Sequence, residues 1–327
     1  MKQKLHEKLT LFASNSQEMK KEFKWRNSLT RRLAALLYAF EDKPVDCNAI
    51  RECIDLIKSS AGIFSKFRGN MALCVATMLS FKDNRKELFA QTKAVYEMMK
   101  DVKFCASDYL AVAAYEIAVN ANPDNYKEIV SRARAFYKGM KAKGFFRTGE
   151  DDYIFTSMLG LSDIDVKEGT ERIQHFYRKL KPDFLSGNSV QMLAQILVLA
   201  GESDLAVHRL HDLRKELKNR KLRLDKTFTL SSLGILALLS VDTNTIVQDI
   251  EDAEVFLKTQ IGFGSFRITK QERLLLAASI VASVHAENEK DGVLKASVST
   301  NIASIIITQQ AAMIAAVSAS GSAASSH

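Results

Sequence analysis

Proline is almost missing from this chain. Only Pro44, Pro123 and Pro182 occur in 327 residues, where average usage would give roughly 16. Proline lacks an N–H and clashes with the preceding turn, so its scarcity permits long helices. All three fall where loops or first helical turns are expected. The β-branched alternation of strands is also rare, which points to an all-α protein. No CxxC pair exists: Cys47, Cys53, Cys74 and Cys105 are far apart, which argues against a structural zinc site. Each lies in a helical stretch beside apolar neighbours and reads as a reduced, buried small hydrophobe of a cytoplasmic protein. A Gly-rich phosphate loop, a GxSxG elbow, an HExxH pair and a DDxxD run are all absent, so no cofactor and no metal is expected. The apolar run 302–317 is too short to span a bilayer and is interrupted by Gln309 and Gln310. Residues 1–27 lack the apolar core of a secretory signal. The reading is therefore cytoplasmic, with no membrane partner.

What is present is periodic. Stepping from Ile57 to Tyr96, Tyr137, Tyr177, Leu217 and Phe256 gives intervals of 39, 41, 40, 40 and 39 residues. A second series, Phe64, Phe104, Phe145, Phe184, Leu224 and Phe263, follows seven or eight residues behind. A period near forty marks a supersecondary module that stacks on its neighbours. Each module holds two kinds of helix. One is long and amphipathic: in 123–140, Tyr126, Ile129, Val130, Ala133, Phe136, Tyr137 and Met140 recur at three- and four-residue steps. The stretches 46–60, 84–100, 165–180, 203–219 and 243–259 follow this plan. The other kind is short and apolar on most sides, as in 71–80, 108–119, 152–161, 190–200, 230–240 and 272–284, and is expected to be buried. Inner helices are expected to open on Ser107/Asp108, Asp151/Asp152, Asn188/Ser189 and Thr227 or Thr229, and Gly144 to close a long one.

These patterns predict repeated α-hairpins of about forty residues forming an α/α toroid or a strongly curved α-solenoid. The short apolar helices favour the toroid. The predicted organisation is a leading helix and turn over 1–27, one helical-repeat domain over 28–318 and a disordered tail over 319–327. Residues 28–40 are paired with 46–60 as the first hairpin, and a last helix is placed around 291–318.

The stretches SDYLAVAA (107–114), GEDDYIFTSMLGL (149–161), FLSGNSVQMLAQILVLA (184–200) and AAMIAAVSAS (311–320) resemble the uncharacterised bacterial "domain of unknown function 4003" family. The resemblance extends over roughly residues 20–320. Its strongest pieces are Gly187, Asn188 and Gln191 and the acidic Asp151, Asp152 and Tyr153. It implies a bacterial cytoplasmic protein and carries over no catalytic assignment.

Candidate sites compete with structural roles. Glu150, Asp151 and Asp152, with Asp163 and Asp165, suit cation binding or acid–base chemistry, and equally suit helix capping. His208 and His211 have ligand spacing, but Arg209–Lys226 holds eight cations against three acids, which repels a metal ion. That run and the net charge of +8 keep a nucleic-acid binder in view, although no aromatics interleave for stacking. Phe104, Phe145, Phe146, Phe184 and Phe263 line a ligand groove or, more simply, fill the core. If the helices form a ring, Asp108, Tyr109, Asp151, Asp152, Tyr153, Asn188, Gln191 and Arg273 fall near one mouth, the default ligand-binding set. The leading expectation is a binding protein that takes a protein or peptide through its concave face or mouth. The alternative is a toroid enzyme, hydrolase-like, using acidic mouth residues on a polar substrate.

Overall fold

A computed structural model describes residues 2–62, 65–69, 72–142, 148–201, 204–226 and 229–288. Every regular element among them is helical, with no strand. The long helices are α1 (Lys2–Glu22), α3 (Cys47–Ser60), α5 (Arg85–Asp101), α7 (Tyr126–Ala142), α9 (Val166–Leu180), α11 (Asp204–Asn219) and α13 (Thr243–Thr259). Between them lie α2 (Ser28–Phe40), α4 (Ala72–Ser80), α6 (Asp108–Asn120), α8 (Tyr153–Leu161), α10 (Gly187–Leu199), α12 (Leu230–Leu238) and α14 (Lys270–Asn288). No helix among the described residues is long and apolar enough to cross a membrane. Phe64, Phe145, Phe146, Gly144, the helix expected at 291–318 and the tail at 319–327 lie outside the described residues.

The two patterns of apolar residues have the consequences that helix geometry requires. α9 buries one stripe, Ile173, Phe176, Tyr177 and Leu180, while its charged residues face outward. α4 and α12, which carry no charge, are buried at every residue. Removing each such leucine or isoleucine from water contributes about 1.5–3 kcal/mol. Of the first forty-residue series, Ile57, Tyr96, Tyr137, Tyr177 and Leu217 are buried near the ends of their long helices; of the second, Phe104, Phe184, Leu224 and Phe263 are buried in the following turns.

The chain divides into two compact units, with the division running through α2 and α9. One unit holds residues 46–174 and the start of α2. In it α3 packs chiefly on α4, α5 on α6 and α7 on α8, and the short helices follow one another as α4, α6, α8. Each of these long helices thus meets the short apolar helix that follows it. α7 and α8 approach closely at Gly160, where a Cβ would stand 2.8 Å from the Ile129 carbonyl oxygen and 3.0 Å from the Ala133 nitrogen. Arg132 closes the same contact: it donates to the carbonyls of Gly160, Ser162 and Ile164 at 3.2, 2.7 and 2.8 Å, which have no partner within the ending helix.

The other unit joins residues 2–24 and 35–45 to the chain from His175 onward. α11 packs on α12, α13 on α14, and α1 lies against α13 and α14. Lys8 on α1 is 1% exposed. Its ammonium meets Glu287 at 2.8 Å, Asp42 at 2.9 Å and the Phe40 carbonyl at 3.2 Å. Phe12 stacks edge-on against Phe263 at 5.3 Å. Asn15 bonds the turn after α2 through the Lys43 carbonyl and the Val45 N–H.

Several local expectations are corrected. Ser107 caps α6 as expected, accepting from the Leu110 N–H at 3.2 Å. α10, however, begins three residues earlier than its apolar run and is capped by Ser186, which accepts from the Ser189 N–H. Thr229 precedes α12 without capping it; its hydroxyl binds the Lys226 carbonyl and Gln271 instead. Cys53 and Cys74 are buried, and burial pushes the Cys53 thiol up to about 11. Cys105 is exposed and Cys47 half-buried. Cys47 opens α3, and Cys105 lies in the turn between α5 and α6 rather than in a helical stretch.

Candidate functional site

Within the unit of residues 46–174, three segments converge on one polar cluster: the 3₁₀ turn Lys66–Arg68, the first turn of α6 and the 3₁₀ turn Glu150–Asp152 that leads into α8. Ser65 starts the first turn by accepting from the Phe67 N–H. Gly69 follows it, and a Cβ there would stand 2.6 Å from Asp108 Oδ1. The missing side chain is what lets the Asp108 carboxylate lie against this turn. Ser107, which caps α6, also lies near enough to the Glu150 carboxyl to oppose the rise that burial gives it.

The electrostatics of the cluster are unfavourable in a specific way. Burial raises the Asp151 carboxyl above the usual aspartate range. Burial also raises Glu150, with Asp108 and Asp151 adding like-charge repulsion, against the opposing effect of Lys66 and Ser107. The Tyr109 phenol is pushed well up by burial and by Asp151, Glu150 and Asp108 together. Tyr96 is pushed up to about 12, by burial first and then by Glu97, Asp108 and Glu150. Asp108, Glu150 and Asp151 therefore sense one another and the Tyr109 hydroxyl. Each is partly exposed, so the cluster opens to solvent. No group of three metal-ligating side chains is formed among the described residues.

Of the eight residues read from the sequence, Asp108, Tyr109 and Asp151 belong to this cluster. Asp152 and Tyr153 are adjacent in sequence but turn inward. Asp152 is buried and accepts from the Gly149 N–H at 2.9 Å. Tyr153 is buried, and its hydroxyl accepts from the Cys105 N–H at 3.1 Å. Its ring packs edge-on against Phe104 at 4.8 Å and Tyr137 at 5.5 Å, with the Arg134 guanidinium over Phe104 and Tyr137. Asn188, Gln191 and Arg273 lie in the other unit. Asn188 is exposed at the start of α10 and Gln191 is buried in it. Arg273 is 3% exposed; it donates to Glu254 at 3.0 Å and to the carbonyls of Phe263 and Ile268 at 3.2 Å. Glu150 was visible as part of the acidic run, and its place beside Asp108 follows from the meeting of two turns. Lys66 carried no sequence signal.

The remaining candidates resolve locally. Asp165 accepts from the N–H groups of Lys167 and Glu168 at 2.9 Å and so caps α9. His211 faces Asp183 at 3.5 Å. In the basic run, Arg214 and Arg223 meet Asp225, and Arg220 meets Glu216 and Glu251. A cavity of about 560 Å³ in the other unit is lined by Gln3, Lys4, Glu7, Lys8, Leu11 and Asp42; its lysines are already engaged by Glu287 and Asp42.

No solved structure matches the chain. It is similar to a Bacillus subtilis (strain 168) protein whose printed name is "Uncharacterized protein YeaA", 23% identical over 334 residues that cover 99% of this chain and 98% of the relative. The profile of the family described as "Protein of unknown function (DUF4003)" matches residues 15–311, and the chain belongs to that family.

Proposed function

We propose that the protein is a helical-repeat binding module that takes a basic segment of a protein or peptide at Asp108, Glu150 and Asp151. The observation that carries this reading is the meeting of the first turn of α6, with Asp108, and the turn that carries Glu150 and Asp151 beside Gly69, where burial raises the Glu150 and Asp151 carboxyls. Burial of Glu150 and Asp151, with repulsion of Glu150 by Asp108 and Asp151, costs the folded state energy. An arginine or lysine side chain entering the cluster would relieve both, with Tyr109 as an apolar wall beside it. In this reading the hairpins close on themselves as a toroid. Support comes from α1, which packs on α13 and α14, the last described hairpin. The bacterial setting draws support from the Bacillus relative, and a cytoplasmic one is proposed with it.

Isothermal titration with a tri-arginine peptide, against a tri-alanine control, tests the site. Binding of the arginine peptide alone is expected, weakened tenfold or more by Glu150→Gln with Asp151→Asn. Equal heats for both peptides, or binding indifferent to the two substitutions, overturns it. A second reading rests on the same raised carboxyls, since a general acid needs a proton near neutral pH. In that reading the cluster hydrolyses a polar substrate such as a glycoside. Turnover of a chromogenic glycoside panel, abolished by Asp151→Asn, would favour it; no turnover across the panel would remove it.

A further inference from the structure

In the unit that holds the chain from His175 onward, three turns run side by side: residues 181–186 before α10, 220–226 after α11 and 260–269 before α14. Side-chain bonds tie them together. Arg214 donates to the Asp183 carbonyl at 3.1 Å and meets Asp225 at 3.4 Å. Lys270 donates to the Lys221 carbonyl at 3.1 Å and Gln271 to the Arg223 carbonyl at 3.0 Å. The three turns therefore share one edge.

That edge presents its largest apolar side chains to water. Leu185 is 101% exposed, Ile261 72% and Phe266 104%. Among them stand the exposed cations Lys221, Arg223, Lys226, Arg267 and Lys270. The nearby acids are occupied: Asp225 by Arg214 and Arg223, Asp183 by His211, and Glu272 by the Thr269 N–H. At the usual spacing of packed helices, the outer two turns stand on the order of 20 Å apart. A small ligand does not reach across that distance, whereas a broad flat partner does. Leu185 and Ile261 offer nothing to stack on bases, which nucleic-acid grooves use. Aliphatic tips among lysines and arginines match a lipid headgroup region, with phosphates outside and acyl chains beneath.

We propose that this edge docks on an anionic phospholipid bilayer, with Leu185, Ile261 and Phe266 entering the headgroup–acyl boundary and the cations facing lipid phosphates. The sequence reading gave membranes no role because no segment spans one; a peripheral contact requires no span. The full chain is floated with vesicles of phosphatidylcholine and with vesicles of equal parts phosphatidylcholine and phosphatidylglycerol. It is expected to rise with the mixed vesicles only. Ile261→Ser with Phe266→Ser should lower partitioning roughly tenfold or more, and Lys226→Glu and Arg267→Glu roughly fivefold each. All four positions are exposed, so melting temperature should stay unchanged and separates binding from folding. Asp151→Asn should leave flotation unchanged, so the peptide site and this edge stand or fall separately. The proposal fails if mixed vesicles do not carry the protein, or if they carry the Ile261/Phe266 double variant equally well. It also fails if single-stranded DNA displaces the vesicles and binds that double variant undiminished, which would assign the edge to nucleic acid.

Discussion

Asp151 and Asp152 are chemically identical neighbours in different surroundings, and their substitutions should move stability in opposite directions. Asp152 accepts the Gly149 N–H from a buried position, so Asp152→Ala should cost about 1 kcal/mol in urea unfolding. Asp151 has its folded-state pKa above the ordinary value. The folded protein holds that proton more tightly than the unfolded chain does, and the resulting stabilisation is present at acid pH and lost as pH rises through the raised pKa. Asp151→Asn should therefore raise the melting temperature at neutral pH. A fall would show that the carboxylate is structural. Glu287 works in the other direction. Burial alone would push its carboxyl up, but hydrogen bonds and charge from Lys4 and Lys8 outweigh this and hold it low. Its contribution is present above the unfolded pKa and lost as pH falls through the depressed one. Glu287→Gln should flatten the acid limb of a stability–pH curve. Lys8→Ala, which leaves Glu287 with Lys4 and the Ser283 hydroxyl, should cost about 3 kcal/mol at neutral pH.

At the level of helices, the closest approach is the most sensitive point. Gly160→Ala places a methyl against the Ile129 carbonyl and Ala133 backbone, where neither neighbour is a flexible side-chain end. The separation of α7 and α8 that follows should cost about 1–3 kcal/mol, read as a lower urea midpoint. Helix type and most boundaries were legible because apolar spacing alone decides which face is buried: α13 spans the residues read for it, 243–259, and α2 likewise spans 28–40. The loop aromatics of the second series were legible as well, and contacts such as Phe104 with Tyr137 at 5.5 Å give the reason. An aromatic in the turn after one long helix packs on the next long helix, so both recur together. What the sequence hid depends on partners distant along the chain. Arg273 looks like a mouth cation until Glu254 on α13 is found beside it. Ser186 caps α10 because the turn before it sets the cap, not the apolar run. The acidic run spelled out three equivalent carboxylates, and only the geometry of the turn divides Asp151, which opens outward, from Asp152, which closes the turn.

At the scale of the molecule, the unit that contains α1 draws on both extremes of the described chain. Its core joins Leu5, Leu9 and Phe12 to the last long helices. Backbone amides of α1 should therefore exchange with the same protection as those of α13 and α14, as one cooperative body. Rapid exchange confined to α1 would show that it frays on its own. During synthesis this arrangement imposes a wait. α1 leaves the ribosome more than two hundred codons ahead of α13, so at ordinary translation rates its apolar stripe stands uncovered for on the order of 10–50 s. A nascent chain built this way is an early client for a chaperone, and α1 is the stretch a chaperone would meet.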